Sequence, residues 1–144
     1  EVVGINTAIA STSGRNEGIG FAIPINMAMK IVDQLIENGT VVRGFLGVSL
    51  DARFTHTAAV RLGLKTPRGA RVTGITANSA ASRARVRAGD VILRFNGTWI
   101  ESDDHLVNEV SMTPVGKPVS MTVYRDGEMV DLTVTVGERE LNSR

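Results

Sequence analysis

The residues whose types and spacing best suit a binding site lie in the segment RGFLGVSL, residues 43–50. A glycine at the start of a strand lets successive backbone N–H groups turn toward one point, where they can bind a carboxylate without a basic side chain. Leu46, Gly47 and Val48 would donate these hydrogens, and the strand that follows would offer an edge to an added peptide. The segment therefore predicts a site for a peptide carboxylate. The same pattern is also typical of a β-bulge beside a solvated arginine, Arg43.

Other kinds of active site find little support. The sequence has no G-x-S-x-G motif, and its two histidines, His56 and His105, lie in predicted helices without a partner pattern. It has no cysteine, no H-x-x-x-H pair and no carboxylate cluster at ligand spacing, so we expect no metal and no cofactor. With 16 basic and 15 acidic side chains scattered along the chain, nucleic acid and anionic lipid are not expected partners.

The elements before residue 40 are two strands and a helix. The apolar run EVVGINTAIA predicts the first strand, and IGFAIP predicts a second that ends at Pro24. Asn26 is predicted to cap a helix with apolar residues at three- and four-residue spacing, and Gly39 is predicted to end it. The length of 144 residues, with 42 % apolar and 22 % charged residues, is typical of a globular protein with a real core.

From residue 40 onward, short strands alternate with glycine-containing turns. FLGVSL, ARVTGIT, DVILRFNGTWI and PVSMTVYRDGEMVDLTVTV predict strands, the last two with tight turns at Asn96-Gly97 and Asp126-Gly127. HTAAVRLGL and SDDHLVNEVSM predict short helices, and Ser102 is the expected cap of the second.

The order of these motifs resembles the PDZ domains of bacterial HtrA/Deg proteases over about residues 40 to 137. The matching stretches are RGFLGV, GARVTGITANSAASRARVRAGDVILRFNGTWI, DDHLVNEV and PVSMTVYRDGEMVDLTVTV. The resemblance implies a mainly β fold with α (α+β), a partly open β-sandwich or barrel with two helices. The chain departs from the family at Ala80, where proline is usual, and at Arg85, where glycine is usual. A positive φ at Arg85 would cost about 1 kcal/mol relative to glycine.

The resemblance also implies the residues of a peptide site. The carboxylate-binding loop would comprise Phe45, Leu46, Gly47 and Val48, with Arg43 behind it. The pocket for the last ligand side chain would be lined by Leu46, Val48 and Leu50 and, from a helix over residues 103–111, by Val107 and Val110.

The first 39 residues resemble the end of the trypsin-like domain of the same proteases. We expect residues 1–24 to be terminal protease strands, 25–39 a linker helix, 40–138 a PDZ domain and 139–144 a flexible tail. The remnant of a substrate cleft would comprise Ile5, Asn6, Thr7, Ile19 and Gly20. The catalytic Ser, His and Asp would lie upstream of Glu1, so no catalytic residue is assigned in this chain. Strands without their barrel are expected to be disordered, repacked or swapped onto a neighbour.

The function implied is that of part of an envelope or periplasmic serine endopeptidase. The chain would bind C-terminal peptides of unfolded or mislocalised proteins, either to recruit substrates or to regulate proteolysis. The parent would be a trimer-based homo-oligomer, and a membrane anchor in a missing segment stays open. The alternative is a non-enzymatic PDZ scaffold, against which the match over residues 1–24 argues.

Overall fold

A computed structural model describes residues 1–15, 18–66 and 68–138, which form two compact units that divide between Val41 and Val42. The predicted flexible tail, residues 139–144, lies outside the described residues. Within these ranges, no helix combines the length and apolar character that crossing a bilayer requires.

The first unit is a β-hairpin followed by a helix. Strands β1 (Gly4–Ala10) and β2 (Ile19–Pro24) pair antiparallel, and α1 spans Ile25–Asn38. Gly39 ends α1 in a left-handed conformation and donates its N–H to the Leu35 carbonyl at 3.0 Å, as predicted. Most apolar side chains of this unit are exposed, up to 79 % at Val3.

The predicted cap of α1 is wrong. The helix begins at Ile25, before the position that a cap at Asn26 requires, and Asn26 Oδ1 accepts from the N–H of its neighbour Met27. Pro24 occupies the cap position with φ −57°, the angle that its ring fixes and that leads into a helix. The ring geometry of Pro24 therefore sets the start of α1 without a side-chain cap.

The second unit contains eight strands and three helices among the described residues, and its main sheet has the order β4-β5-β6-β8-β9, with β7 paired to β6. A separate two-stranded sheet joins β3 to β10. All pairs are antiparallel. The elements are β3 Gly44–Phe45, β4 Val48–Leu50, α2 His56–Arg61, β5 Ala70–Ile75, α3 Ala80–Arg83, β6 Val91–Phe95, β7 Thr98–Trp99, α4 Asp103–Ser111, β8 Pro118–Arg125, β9 Glu128–Thr135 and β10 Gly137–Glu138.

The mixed, strand-rich fold class is confirmed, with two differences in detail. The single strand predicted for FLGVSL is divided at Leu46 and Gly47 into β3 and β4. The four-residue helix α3 was not predicted, because it is too short to show helical periodicity; Ser79, which accepts from the Ser82 N–H, caps it. Both predicted tight turns have positive φ at their two central residues, as type I′ turns require.

The core lies on both faces of the main sheet. In β6, Ile92 packs with the larger cluster that includes Leu106 and Val110 of α4, whereas Val91 and Leu93 pack with a smaller cluster against α2. Side chains alternate along a strand, so β6 contributes to both clusters at once. The sheet thereby holds α4 on one face and α2 on the other.

A buried ion pair joins the loop before β6 to the end of β8. Arg125 donates from Nε and one Nη to both oxygens of Asp90, each at 2.8 Å, and the same Nη donates to the Arg85 carbonyl at 3.0 Å. Asp90 is 1 % exposed and also accepts from the Arg87 N–H at 2.8 Å. The hydrogen bond to Asp90 raises the pKa of Arg125 above its ordinary value, so the Arg125 guanidinium stays charged through the physiological range. Arg85 has φ 61°, a left-handed conformation that glycine would adopt without strain.

We expect Arg125→Met to lower the free energy of unfolding by about 3 to 5 kcal/mol, because the Asp90 carboxylate would stay buried without its cation. Urea denaturation followed by Trp99 fluorescence measures this loss in the second unit. Arg53→Met, at an exposed arginine outside any ion pair of the described residues, is the matched control. Equal stability of the two variants would contradict the role given to the pair.

Candidate functional site

A groove of about 250 Å³ opens between strand β4 and helix α4. It contains every residue predicted for the carboxylate loop and the side-chain pocket, together with Gly44, Leu106 and Ser111, which sequence reasoning missed. The residues that line it are Arg43, Gly44, Phe45, Leu46, Gly47, Val48, Leu50, Leu106, Val107, Val110 and Ser111. The structure therefore brings the predicted residues of this site together in one place.

Helix α4 forms one wall because its buried face fixes it to the core. Ser102 caps it by accepting from the His105 N–H at 3.2 Å, and two acidic residues occupy its first turn, where the helix dipole favours them. Leu106 and Val110 are almost fully buried, whereas Val107 is 52 % exposed. Val107 therefore presents free apolar surface to the groove, and Leu106 and Val110 set the depth at which the helix lies.

The loop at Gly47 forms the end of the groove. Gly47 has φ 79°, and a Cβ there would lie 2.6 Å from Ser79 Oγ, so the position requires glycine for both conformation and space. The Leu46 carbonyl accepts from the Ala81 N–H, and the Gly47 carbonyl accepts from the Thr76 N–H, both at 2.8 Å. These bonds direct both carbonyls toward α3 and β5. Within the described part of the chain, the N–H groups of Leu46 and Gly47 have no acceptor.

Strand β4 is the free edge of the main sheet. Val48 lies opposite Ile75 while the bond beside it runs from the Thr76 N–H to the Gly47 carbonyl, which places Val48 at a non-hydrogen-bonded position of the ladder. Leu50 takes the same kind of position, because the Asp51 N–H donates to the Arg71 carbonyl. The N–H and C=O groups of Val48 and Leu50 therefore point away from β5, toward the groove.

The groove is apolar except at its mouth. Arg43 is exposed and is the only ionisable residue among the described residues that line the groove. It was expected behind the loop, but it contributes to the lining itself. Since no carboxylate of the described ranges lines the groove, its electrostatic character favours an anion.

The residues predicted for a protease cleft lie together on the hairpin of the first unit. Ile5 pairs with Ile23, and the Thr7 hydroxyl donates to the Phe21 carbonyl at 3.3 Å. Ile19 and Gly20 belong to β2. Their role in a substrate cleft stays a prediction.

The described residues contain no group of three His, Asp or Glu side chains that could hold a metal ion. His105 instead accepts the Glu101 N–H at Nδ1, 3.3 Å away, and lies 3.9 Å from Glu109 through Nε2. The side chain of His56 lies outside what the structure describes.

Comparison with known families shows a match between residues 44–136 and the model described as "PDZ domain". Curated relatives extend the similarity to nearly the whole chain. A probable periplasmic serine endoprotease DegP-like of Chlamydia muridarum is 43 % identical over 94 % of this chain. The periplasmic serine endoprotease DegP of Escherichia coli is 38 % identical over 99 % of it. The chain spans 27 % and 30 % of the length of these two relatives.

Solved structures agree with these relatives. The HtrA-type protease AlgW with a tripeptide is 40 % identical, with a TM-score of 0.76, and the match covers 96 % of this chain and 46 % of that one. AlgW with a decapeptide is also 40 % identical, with a TM-score of 0.75, and covers 96 % and 42 % of the two chains.

We expect Gly47→Ala to destabilise the second unit by about 2 kcal/mol or more, because it adds backbone strain to a collision with the Ser79 side chain. Gly74→Ala is the matched control: a Cβ at Gly74 lies 3.6 Å from Ser49, which is ordinary contact, and its φ is not positive. Urea denaturation gives the loss for both. Equal losses would contradict the constraint assigned to Gly47.

Proposed function

Since the chain belongs to the PDZ domain family and is similar to HtrA/DegP-type serine proteases over nearly its whole length, we propose that its groove binds the free C-terminus of a peptide by β-augmentation. The observation that carries this proposal is the single groove in which the outward-pointing edge of β4 meets the amide groups of Leu46 and Gly47. A peptide laid along β4 would have partners for its main chain and for its terminal charge in the same place.

The terminal carboxylate would bind at the loop of Phe45, Leu46, Gly47 and Val48. The bonds from Thr76 and Ala81 support this role, because they hold the two loop carbonyls away and leave amide hydrogens for an anion. Backbone N–H groups that bind a carboxylate form charge-assisted hydrogen bonds, which are stronger than neutral ones. Arg43 would add a screened attraction from the mouth of the groove.

The last side chain of the ligand would lie between β4 and α4. Leu46, Val48, Leu50, Val107 and Val110 supply apolar surface on both sides of that space, which favours an apolar terminal residue. A small groove of this kind is expected to bind peptides in the micromolar range, because ordering the peptide offsets most of the gain.

The parent protein is proposed to be a periplasmic serine endopeptidase of protein quality control. Similarity covers 94 % to 99 % of this chain and thus includes most of residues 1–43, which precede the PDZ match. This observation favours the protease over a non-enzymatic PDZ scaffold, in which protease strands have no use. Residues 1–24 would then be protease strands, 25–39 a linker helix and 40–138 the PDZ domain, and Ile5, Asn6, Thr7, Ile19 and Gly20 would border a substrate cleft.

Partners of the groove would be the C-termini of unfolded or mislocalised proteins. Binding them would either deliver substrates or relieve inhibition of the protease domain. The parent would assemble as a homo-oligomer built from trimers, as the family resemblance implies.

Amidation of a peptide C-terminus is expected to weaken binding by roughly 2 kcal/mol or more, because it removes the charge from the hydrogen bonds at the Gly47 loop. Isothermal calorimetry with short peptides ending in Val, Leu or Phe, each free and amidated, measures the difference. Arg43→Ala should weaken the free peptides less than amidation does, and Arg53→Ala should leave them unchanged. Equal affinity for free and amidated peptides would overturn the proposed carboxylate site.

The chain by itself is expected to leave casein intact, because it holds neither a nucleophile–base pattern nor a histidine within residues 1–41. Incubation of casein with purified chain, followed by electrophoresis, checks this. Cleavage that a covalent serine inhibitor abolishes, and that copurifies with the chain, would contradict the assignment of these residues to a segment without the triad.

A further inference from the structure

A second cleft, of about 530 Å³, lies outside the groove and shares none of its residues. We call it the Trp99 cleft; its lining residues are Gly63, Leu64, Lys65, Thr66, Arg68, Leu93, Trp99, Tyr124, Gly127 and Met129. Its volume falls in the range of roughly 300–1,000 Å³ that is typical of small-molecule sites. The proposed peptide function makes no use of it.

The floor of the Trp99 cleft belongs to the face of the main sheet on which α2 packs, at the part that α2 leaves uncovered. Leu93 belongs to the small buried cluster against α2, with Tyr124 packed beside it. Beyond that cluster the apolar surface continues into solvent, since Trp99 is 41 % exposed and Met129 is 64 % exposed. An apolar ligand body would extend this cluster and remove that surface from water.

The rim of the cleft is positively charged. The guanidinium carbons of Arg68 and Arg94 lie 5.3 Å and 4.7 Å from the centre of the Trp99 ring. Of the two arginines, Arg68 has a carboxylate partner, Glu101, at 3.4 Å, whereas Arg94 has none within the described residues. Lys65 also lacks an ion-pair partner in the described part of the chain.

The acidic residue that directly precedes Met129 does not offset this charge. Glu128 directly precedes Met129 in β9 and lies opposite Arg125 in the β8–β9 register. Because side chains alternate along a strand, Glu128 and Met129 lie on opposite faces of the sheet. The cations that line the cleft, Lys65 and Arg68, therefore exceed the single carboxylate of Glu101 by one charge. The Tyr124 hydroxyl adds a polar atom without a hydrogen bond to any described residue.

From the apolar floor and the cationic rim, we propose that the Trp99 cleft binds a small amphipathic acid. Its anionic head would lie at Lys65 and Arg68, within reach of the Tyr124 hydroxyl. Its apolar body would cover Leu93, Trp99 and Met129. The lining of the cleft thus specifies an acid with an acyl or aromatic body as the ligand class, bound away from the peptide groove.

The chain contains a single tryptophan, so its fluorescence reports on this cleft alone. Octanoate, kept below its micelle concentration, is the probe, and octylammonium is the control of opposite charge. Octanoate should change Trp99 emission saturably, because its body removes the indole from water, and octylammonium should not. The absence of a saturable change, or an equal response to both probes, overturns the proposal.

The variant Lys65→Gln should weaken octanoate binding about tenfold, the loss expected for one charge-assisted hydrogen bond. Lys117→Gln, at an exposed lysine outside both clefts, is the matched control and should bind like the original chain. Equal affinity of all three proteins overturns the role of Lys65. Vesicles of phosphatidylglycerol test whether the cleft binds a dissolved acid or a lipid headgroup. A Trp99 response to the vesicles but not to octanoate also overturns the proposal.

Amide NMR shifts separate this site from the groove, where octanoate can also present a carboxylate. Shifts at Lys65, Tyr124, Met129 and the Trp99 indole that persist when a free C-terminal peptide saturates the groove are the expected result. Shifts confined to residues 45–50 would overturn the proposal and leave the peptide site untouched.

Discussion

The bond from Arg125 to Asp90 connects the interior of the second unit to its groove. The same arginine holds the carbonyl of Arg85 at the end of α3, and α3 in turn donates the Ala81 N–H to the Leu46 carbonyl. The strain of a positive φ at Arg85 costs about 1 kcal/mol, whereas a hydrogen bond to a charged group contributes about 1.5 to 3 kcal/mol. The bond to the backbone carbonyl holds residue 85 in its left-handed conformation, and the chain accepts arginine there at that cost, where the resembling family has glycine.

Much of the fold could be predicted from local pattern. The two Asn-Gly and Asp-Gly turns, the Ser102 cap and the Gly39 stop each depend on a few neighbouring residues, and the structure has all of them. Features that depend on contacts between distant residues were missed. The break of FLGVSL at Leu46 and Gly47 is one example, because it follows from bonds to Thr76 and Ala81, and no local signal encodes these.

The groove and the Trp99 cleft also differ in how far their residues could be predicted from the sequence. Val107 and Val110 could be predicted as one wall of the groove from their helical spacing and the family resemblance, while Leu106 was missed because its side chain is nearly buried. The Trp99 cleft draws on a loop, a short strand and a hairpin that are far apart in the sequence. Its residues share no spacing, so only the folded chain shows that they meet.

The length of β4 would limit how much of the proposed peptide ligand the groove can distinguish. The strand has three residues, and only Val48 and Leu50 direct their main-chain groups outward. A slip of one residue along such a short edge would exchange the two faces of the added strand, so register has to come from the loop at Gly47. The groove would therefore recognise the C-terminal end of a peptide more strongly than the sequence of that peptide. The same short edge could then bind many unrelated polypeptides, provided that each exposes its C-terminus.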